Sequence, residues 1–516
     1  MQQLTAQGTN GAVCTVDYRA SRAGIDVLNQ GGNAVDAAIA ANAVLTVVSQ
    51  HMCGMGGDLF ALVHLADGDP ACLNASGWAG AGADADRLRS EGHTQMPFKD
   101  DIRSVPVPGC VDGWFALSER FGTMPVDRLL EPAHRIAADG FEIPDHLVRS
   151  APRVAGVDGA DDYQDLVEGE VLVRAATAEV LGDIRSGGRD GFYLGRFGQS
   201  LLELGAGEYD QADLEHRHGE WVVPLSLDAW GHRLWTVPPN SQGYLTLAAA
   251  GIAAGLDLPT TDDDLWVHLL VESARHAGFD RIDSLYDGAD GFALITPERL
   301  ATRRANISPE HTASLNETYA GGGTIHMVTT DGNGGGVSLI NSNAAGFGVN
   351  LVVPGTGIFL QNRGSGFNLT PGHPAEYQPG KRAPHTLAPA LVTHGDGSLR
   401  TVLGTMGGDA QPQIVLQMLA RLLHNQQSPG EVLAAPRWIL EPPASTGFDT
   451  WEDPDAPNVV LEPDAPVEWV VGLERRGQTV EHRPVNVGHA HMIDLVDGVA
   501  HAATEPRIST SAALTP

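Results

Sequence analysis

Three consecutive glycines, Gly321–Gly323, run into Thr324-Ile-His-Met-Val-Thr-Thr330, and the run stops at Asp331-Gly332-Asn333. Glycines free the backbone for conformations other residues avoid. The β-branched and apolar residues after them read as a strand, and Asp-Gly-Asn reads as a turn. Val337-Ser-Leu-Ile340 continues as a second strand. The chain therefore contains a hairpin whose first residue is a hydroxyl amino acid on a flexible joint. A self-cleaving precursor needs this arrangement: the Thr324 hydroxyl attacks the Gly323 carbonyl and the peptide breaks. The freed α-amine, with a pKa of ~8, then serves as base for its own hydroxyl. Gly-Thr pairs also stand at 122–123, 355–356 and 404–405, so this segment alone leaves an ordinary strand threonine open.

Other segments narrow the choice. Arg22 to Ala40 carries Ala-Gly-Ile-Asp-Val-Leu-Asn-Gln-Gly-Gly-Asn-Ala-Val-Asp-Ala-Ala. It is followed by Cys53-Gly-Met-Gly-Gly-Asp-Leu-Phe, Val107-Pro-Gly-Cys-Val-Asp-Gly-Trp-Phe, Phe121-Gly-Thr-Met-Pro and Leu234-Trp-Thr-Val-Pro-Pro-Asn-Ser-Gln-Gly. Glu272–Arg281, Thr324–Gly348, Gly355-Thr-Gly-Ile-Phe-Leu-Gln-Asn-Arg-Gly, Pro371-Gly-His-Pro, Gly380-Lys-Arg-Ala-Pro-His-Thr-Leu-Ala-Pro and Met406-Gly-Gly-Asp-Ala-Gln-Pro-Gln come next, in that order. In these motifs and their order the chain resembles the γ-glutamyltranspeptidase family over most of its length.

The resemblance implies an α+β fold, the four-layer αββα sandwich of the N-terminal-nucleophile hydrolases. It implies autocleavage into a large portion, 1–323, and a small portion, 324–516. The two fragments would stay associated as one catalytic unit, and the resemblance leaves room for a homodimer of that pair. The implied activity is amide hydrolysis or acyl transfer on γ-glutamyl compounds such as glutathione, through an acyl-Thr324 intermediate and with a small-molecule amide as partner. A different acyl group, oxamate-like or the side chain of a β-lactam, stays open. So does an uncleaved, inactive homologue.

By the same carry-over Gly407 and Gly408 are candidates for the oxyanion hole, since backbone N–H groups ahead of a helix stabilise negative charge. Ser342 matches a hydroxyl that supports the nucleophile, and Asn343 beside it is a candidate substrate contact. His385-Thr386 stands where the family often has two serines on the substrate carboxylate. His326 reads as a structural neighbour. Two departures stand out. Trp78 lies where an arginine clamp for the glutamyl α-carboxylate is expected, and an indole makes no bidentate ion pair. Gly366 lies near the position of the acidic residue that would hold the α-amino group. Arg363 or Arg382 is a candidate replacement for the clamp, with a structural salt bridge as the other reading of Arg363.

Composition excludes several classes. The formal charge of −32 repels nucleic acid and anionic membrane surfaces. No run reaches the ~18 apolar residues of a membrane span. The start, Met1-Gln-Gln-Leu-Thr-Ala-Gln, shows no signal peptide, which suggests a cytoplasmic protein. Cys14, Cys53, Cys72 and Cys110 form no Cys-x-x-Cys pair, so reduced thiols are expected, with no metal and no organic cofactor.

Local patterns place helices at 24–30, 34–49 (capped by Asn33), 126–139, 177–185, 198–204, 241–254, 264–276 and 414–424. Strands are expected at 59–65, 221–225, 233–237, 391–393, 399–403, 459–461 and 491–495. Residues 307–319 read as a polar, irregular connector.

Overall fold

The computed structural model describes residues 3–66, 68–315, 325–443, 445, 447–448, 450–451, 455, 457–483 and 487–516. Thr324, the expected nucleophile, and Gly321–Gly323 lie outside the described residues.

Fourteen strands form the two sheets: β1 (Thr5–Gly8), β2 (Gly11–Thr15), β3 (Asp58–His64), β4 (Ala71–Ala75), β5 (Glu220–Val222), β6 (Leu225–Ala229), β7 (His232–Thr236), β8 (Ile325–Asp331), β9 (Gly336–Ser342), β10 (Ala390–Thr393), β11 (Leu399–Thr405), β12 (Ala490–Val496), β13 (Val499–Ala503) and β14 (Ala512–Leu514). One sheet runs β14-β2-β8-β9-β3-β4-β5 and the other β1-β13-β12-β11-β10-β7-β6. Every neighbouring pair is antiparallel.

Strand periodicity makes the layers. In β8 and β9, Val328 and Ile340 face the apolar core between the sheets, with Phe60, Leu391, Val402 and Ile493. Met327, Val337 and Leu339 face the other way, onto the helices α1 (Tyr18–Asn29) and α2 (Ala34–Val48). On the outer side of the second sheet, Leu234, Leu403 and Met492 pack on α3 (Tyr244–Ala253), α4 (Asp264–Gly278) and α5 (Gln411–Leu419). Side chains alternate across a strand, so each sheet contributes to two cores. The result is the αββα sandwich.

The entire α2 is buried, which suits its alanine-rich sequence. Asn33 caps it as expected, and Asp36 completes a capping box. The Thr329 hydroxyl donates to Ala34 O at 2.8 Å, and Ala34 N donates to Asp331 Oδ2 at 3.1 Å, fastening the helix start to β8.

Segments on either side of position 324 alternate within both sheets. The hairpin β8–β9 sits between β2 and β3, and β10–β13 sit between β1 and β7. Parting the two portions would break ladders on both sides of each insert.

Several element boundaries differ from the expected ones. The run 221–225 is two edge strands in different sheets, because Pro224 lacks the N–H a ladder needs. The stretch 126–139 is two helices, 126–129 and 131–139, with Pro132 in the first turn of the second. Helix α3 begins at Tyr244 rather than 241; Ser241 Oγ accepts from Gly243 N instead, leaving Gln242 in the turn before it. Residues 307–315 carry neither helix nor strand, in keeping with a connector.

Candidate active site

The two sheets register at one rim. Ile325 in β8 pairs with Asn341 in β9, and Ser342 at the end of β9 pairs with Asp58 at the start of β3. Across the sandwich, β8 lies on β11. His326 sits against Gly404, where a Cβ would fall 2.4 Å from the imidazole Nε2. Ser338 Oγ donates to Leu403 O at 3.1 Å and also meets His326 Nε2 at 2.9 Å. The start of β8 and the end of β11 therefore open on the same rim, and Gly407-Gly408 extends from it.

Gly407 has φ +144° and Gly408 φ +58°, conformations that side chains resist. A short 3-10 turn, Gly408–Ala410, carries the chain into α5. Gln242 holds this loop from behind: its Nε2 donates to Gly408 O at 3.0 Å and to Thr386 O at 3.1 Å.

Below the rim lies a buried polar cluster. Asp58 Oδ2 accepts from Arg363 Nε at 3.0 Å and hydrogen-bonds His385 Nε2 at 3.0 Å. Arg363 Nη1 donates to Thr386 Oγ1 at 3.0 Å. Asp409 and Arg281 form a second ion pair at 3.4 Å. Burial alone would raise the Asp58 carboxyl, but Arg363 and His385 outweigh it and hold it below the usual carboxylate range. Burial, then the Arg363 cation, pushes the His385 imidazole down to about 4, so it is neutral at pH 7. Burial and the neighbouring His491 hold His326 well below its ordinary value. Neutral and hydrogen-bonded to Ser338, His326 is a packing residue between the sheets.

The remaining predicted residues divide. Ser342 Oγ accepts from Ala344 N at 2.8 Å and shapes the turn after β9. Asn343 Nδ2 donates to Gln50 O at 3.1 Å, and its amide lies under Gly54 and Gly57. One of its amide hydrogens is thereby held behind the glycine-rich loop, while the side-chain oxygen is buried without a hydrogen-bond partner. Trp78 packs against His216 with the rings tilted by 36° and their centroids 4.3 Å apart, and the Arg382 guanidinium lies 4.9 Å over its indole. Arg382 also pairs with Glu220 and Asp287, so the cation over Trp78 is already matched by carboxylates. Arg363 is an ion-pair partner of Asp58, as its structural reading expects, and also donates to Thr386.

Sequence reasoning missed Asp58, Gln242, Arg281 and Asp409 as members of the site. Each stands inside a quoted motif, but nothing in the motifs says which member points inward.

The chain matches the family model described as gamma-glutamyltranspeptidase over residues 20–515. It belongs to that family. Its members are self-processing N-terminal-nucleophile hydrolases and transferases. The chain is 34% identical to the glutathione hydrolase-like YwrD proenzyme of Bacillus subtilis, over 84% of this chain and 85% of that protein. It is 31% identical to the oxamate amidohydrolase proenzyme of Klebsiella pneumoniae, over 98% of both. Among solved structures it is similar to the cephalosporin acylase from Bacillus halodurans, with a TM-score of 0.89 and 30% identity, covering 100% of this chain and 97% of that one. Family membership supports an amide hydrolase. Among the described residues no His, Cys, Asp and Glu cluster is arranged to hold a metal ion, and no helix is long and apolar enough to cross a membrane.

Proposed function

We propose that this chain is a self-processing amide hydrolase that forms an acyl-Thr324 ester. The shared rim carries this reading: the start of β8 opens beside Ser342 and beside the Gly407-Gly408 loop, where an acyl-transfer site needs nucleophile and oxyanion donors together.

In maturation the Thr324 hydroxyl attacks the Gly323 carbonyl, the C–N bond breaks, and water hydrolyses the resulting ester. In turnover the Thr324 amine takes the hydroxyl proton as Oγ adds to the substrate amide. The N–H groups of the 407–408 loop stabilise the oxyanion, and the amine leaves with the proton. Water then attacks the acyl-Thr324 ester with the same amine as base and releases the acid. The large and small portions stay together because their strands alternate in both sheets.

For the acyl group, an amide without the α-amino-acid handle fits better than glutathione. Trp78 is engaged with His216 and Arg382, Gly366 brings no carboxylate, and the nearby carboxylates of Asp58 and Asp409 face guanidinium groups. The likeness to a glutathione hydrolase-like proenzyme keeps γ-glutamyl compounds as the second reading.

Intact mass of the purified protein under denaturing conditions tests the reading. Two fragments divided between Gly323 and Thr324, with turnover of γ-glutamyl, oxamate-like or β-lactam side-chain amides, are expected. A single chain inert to all three overturns it.

A further inference from the structure

Residues 305–315 carry neither helix nor strand, yet 312–315 are tied down one after another. Glu272, fully buried on α4, holds the first two: Oε1 accepts from Thr312 Oγ1 at 2.7 Å and Oε2 from Ala313 N at 3.0 Å. Asp455 holds the next two: Oδ2 accepts from Ser314 Oγ at 2.8 Å and Oδ1 from Leu315 N. Arg275 bridges the two carboxylates, donating from Nη1 to Glu272 at 2.7 Å and from Nη2 to Asp455 at 3.1 Å. Gln478 Nε2 donates at 2.7 Å to both Glu272 Oε1 and Thr312 Oγ1, and Thr312 N donates to Arg476 O at 2.8 Å. Burial alone would raise the Glu272 carboxyl, but Arg275, Thr312 and the Ala313 N–H outweigh it and keep it ionised.

Connectors are ordinarily the loosest part of a fold, and burying an ion pair is costly. Here such a pair is committed to an irregular segment just upstream of the expected cleavage point. Glu272 and Arg275 precede position 324, whereas Asp455, Arg476 and Gln478 follow it, so both portions grip the connector. On the far side of position 324, Ile325 is held in the ladder against Asn341. Attack of a hydroxyl on the carbonyl before it needs both groups kept in one geometry, and a chain free to relax on one side loses it. Resting on the self-processing reading, we propose that Glu272 and Asp455 form a latch that anchors the upstream side of the cleaved bond. They are positioning residues for maturation and take no part in turnover. Arg275 holds the two carboxylates at one spacing, and Thr312 is the hydroxyl that joins the connector to Glu272, Arg275 and Gln478 together.

The test follows precursor made by cell-free synthesis, chased after translation is stopped and read as intact chain against fragments on a denaturing gel. Thr312→Val keeps the shape and removes the hydroxyl. Asp455→Ala removes the second carboxylate, and Glu272→Gln sets an amide against the Ala313 N–H. Each is expected to slow cleavage by about tenfold or more, because small misplacements of reacting groups are costly. Thr312→Ser keeps the hydroxyl and should cleave at the wild-type rate. The variants, once cleaved by long incubation, should match the wild type in melting temperature. They should also match it in kcat and KM on whichever of the γ-glutamyl, oxamate-like and β-lactam side-chain amides it turns over. That split separates positioning for maturation from a general loss of structure. Asp455→Ala carries the test if Glu272→Gln or Thr312→Val does not fold. Wild-type cleavage rates in Thr312→Val and Asp455→Ala overturn the inference, as do cleavage, turnover and melting that fall together. Either result leaves self-processing standing. A wild-type chain that is never cleaved sinks that underlying reading instead.

Discussion

The side-chain amide of Gln242 donates to Gly408 O at 3.0 Å, tying the turn before α3 to the loop that is the oxyanion-hole candidate. The same nitrogen donates to Thr386 O at 3.1 Å, so one buried residue sets the spacing between that loop and the Arg363 cluster. Gln242→Leu keeps the volume and removes both bonds. The expected result is normal cleavage before Thr324 with kcat lowered by up to about 100-fold, since small misplacements of catalytic groups are costly. Steady-state kinetics on the cleaved enzyme check it, and an unchanged kcat would remove Gln242 from the site.

Thr324→Ala is expected to give a single uncleaved chain with no turnover, because it removes both the maturation nucleophile and the reaction nucleophile. Thr324→Ser keeps a hydroxyl and should retain part of each activity. Mass spectrometry and a rate assay on the two variants suffice. An uncleaved Thr324→Ala protein with full activity contradicts the mechanism.

Gly404 faces His326 so closely that Gly404→Ala must push the ring or separate the sheets. Overpacking of this kind costs about 1–3 kcal/mol. Thermal melting should show the loss. In the double variant with His326→Ala the two losses should be less than additive, because removing the ring makes room for the new methyl.

Stability should fall on acidification, starting near neutral pH. Burial pushes His385 and His489 down to about 4 and His491 to about 3, from an ordinary value of 6.5. Between 6.5 and those values the unfolded chain binds protons that the folded chain refuses. Unfolding then gains about 1.4 kcal/mol per pH unit for each such imidazole. Glu505, held to about 2 by Arg437 and Arg507 against its burial, adds a loss in the same direction at lower pH, below its ordinary 4.5. Melting temperatures measured from pH 7.5 to 5 should decrease steadily. A flat profile would show that these histidines titrate normally.

Much was legible in local pattern. The alternation of Met327, Val328, Leu339 and Ile340 fits a hairpin buried on both faces, and the structure places these residues in two different cores. Asn33 was readable as a cap because capping is a contact over three residues. Element ends were less legible where a tertiary partner took over, as at Gln242, where helical propensity yields to bonds with Thr386 and Gly408.

By itself the sequence determined the alternating strands, the glycine joint ahead of Thr324 and the ordered motifs that mark the family, all carried by residues near one another in the chain. Only the tertiary structure decided that Asp58, Arg363 and His385 meet. Those partners stand 305 and 327 residues apart, and their side chains share one carboxylate oxygen. No local propensity encodes such a contact. It exists because strands from both ends of the chain alternate in the same sheets, and because a buried carboxylate is tolerated only where donors reach it.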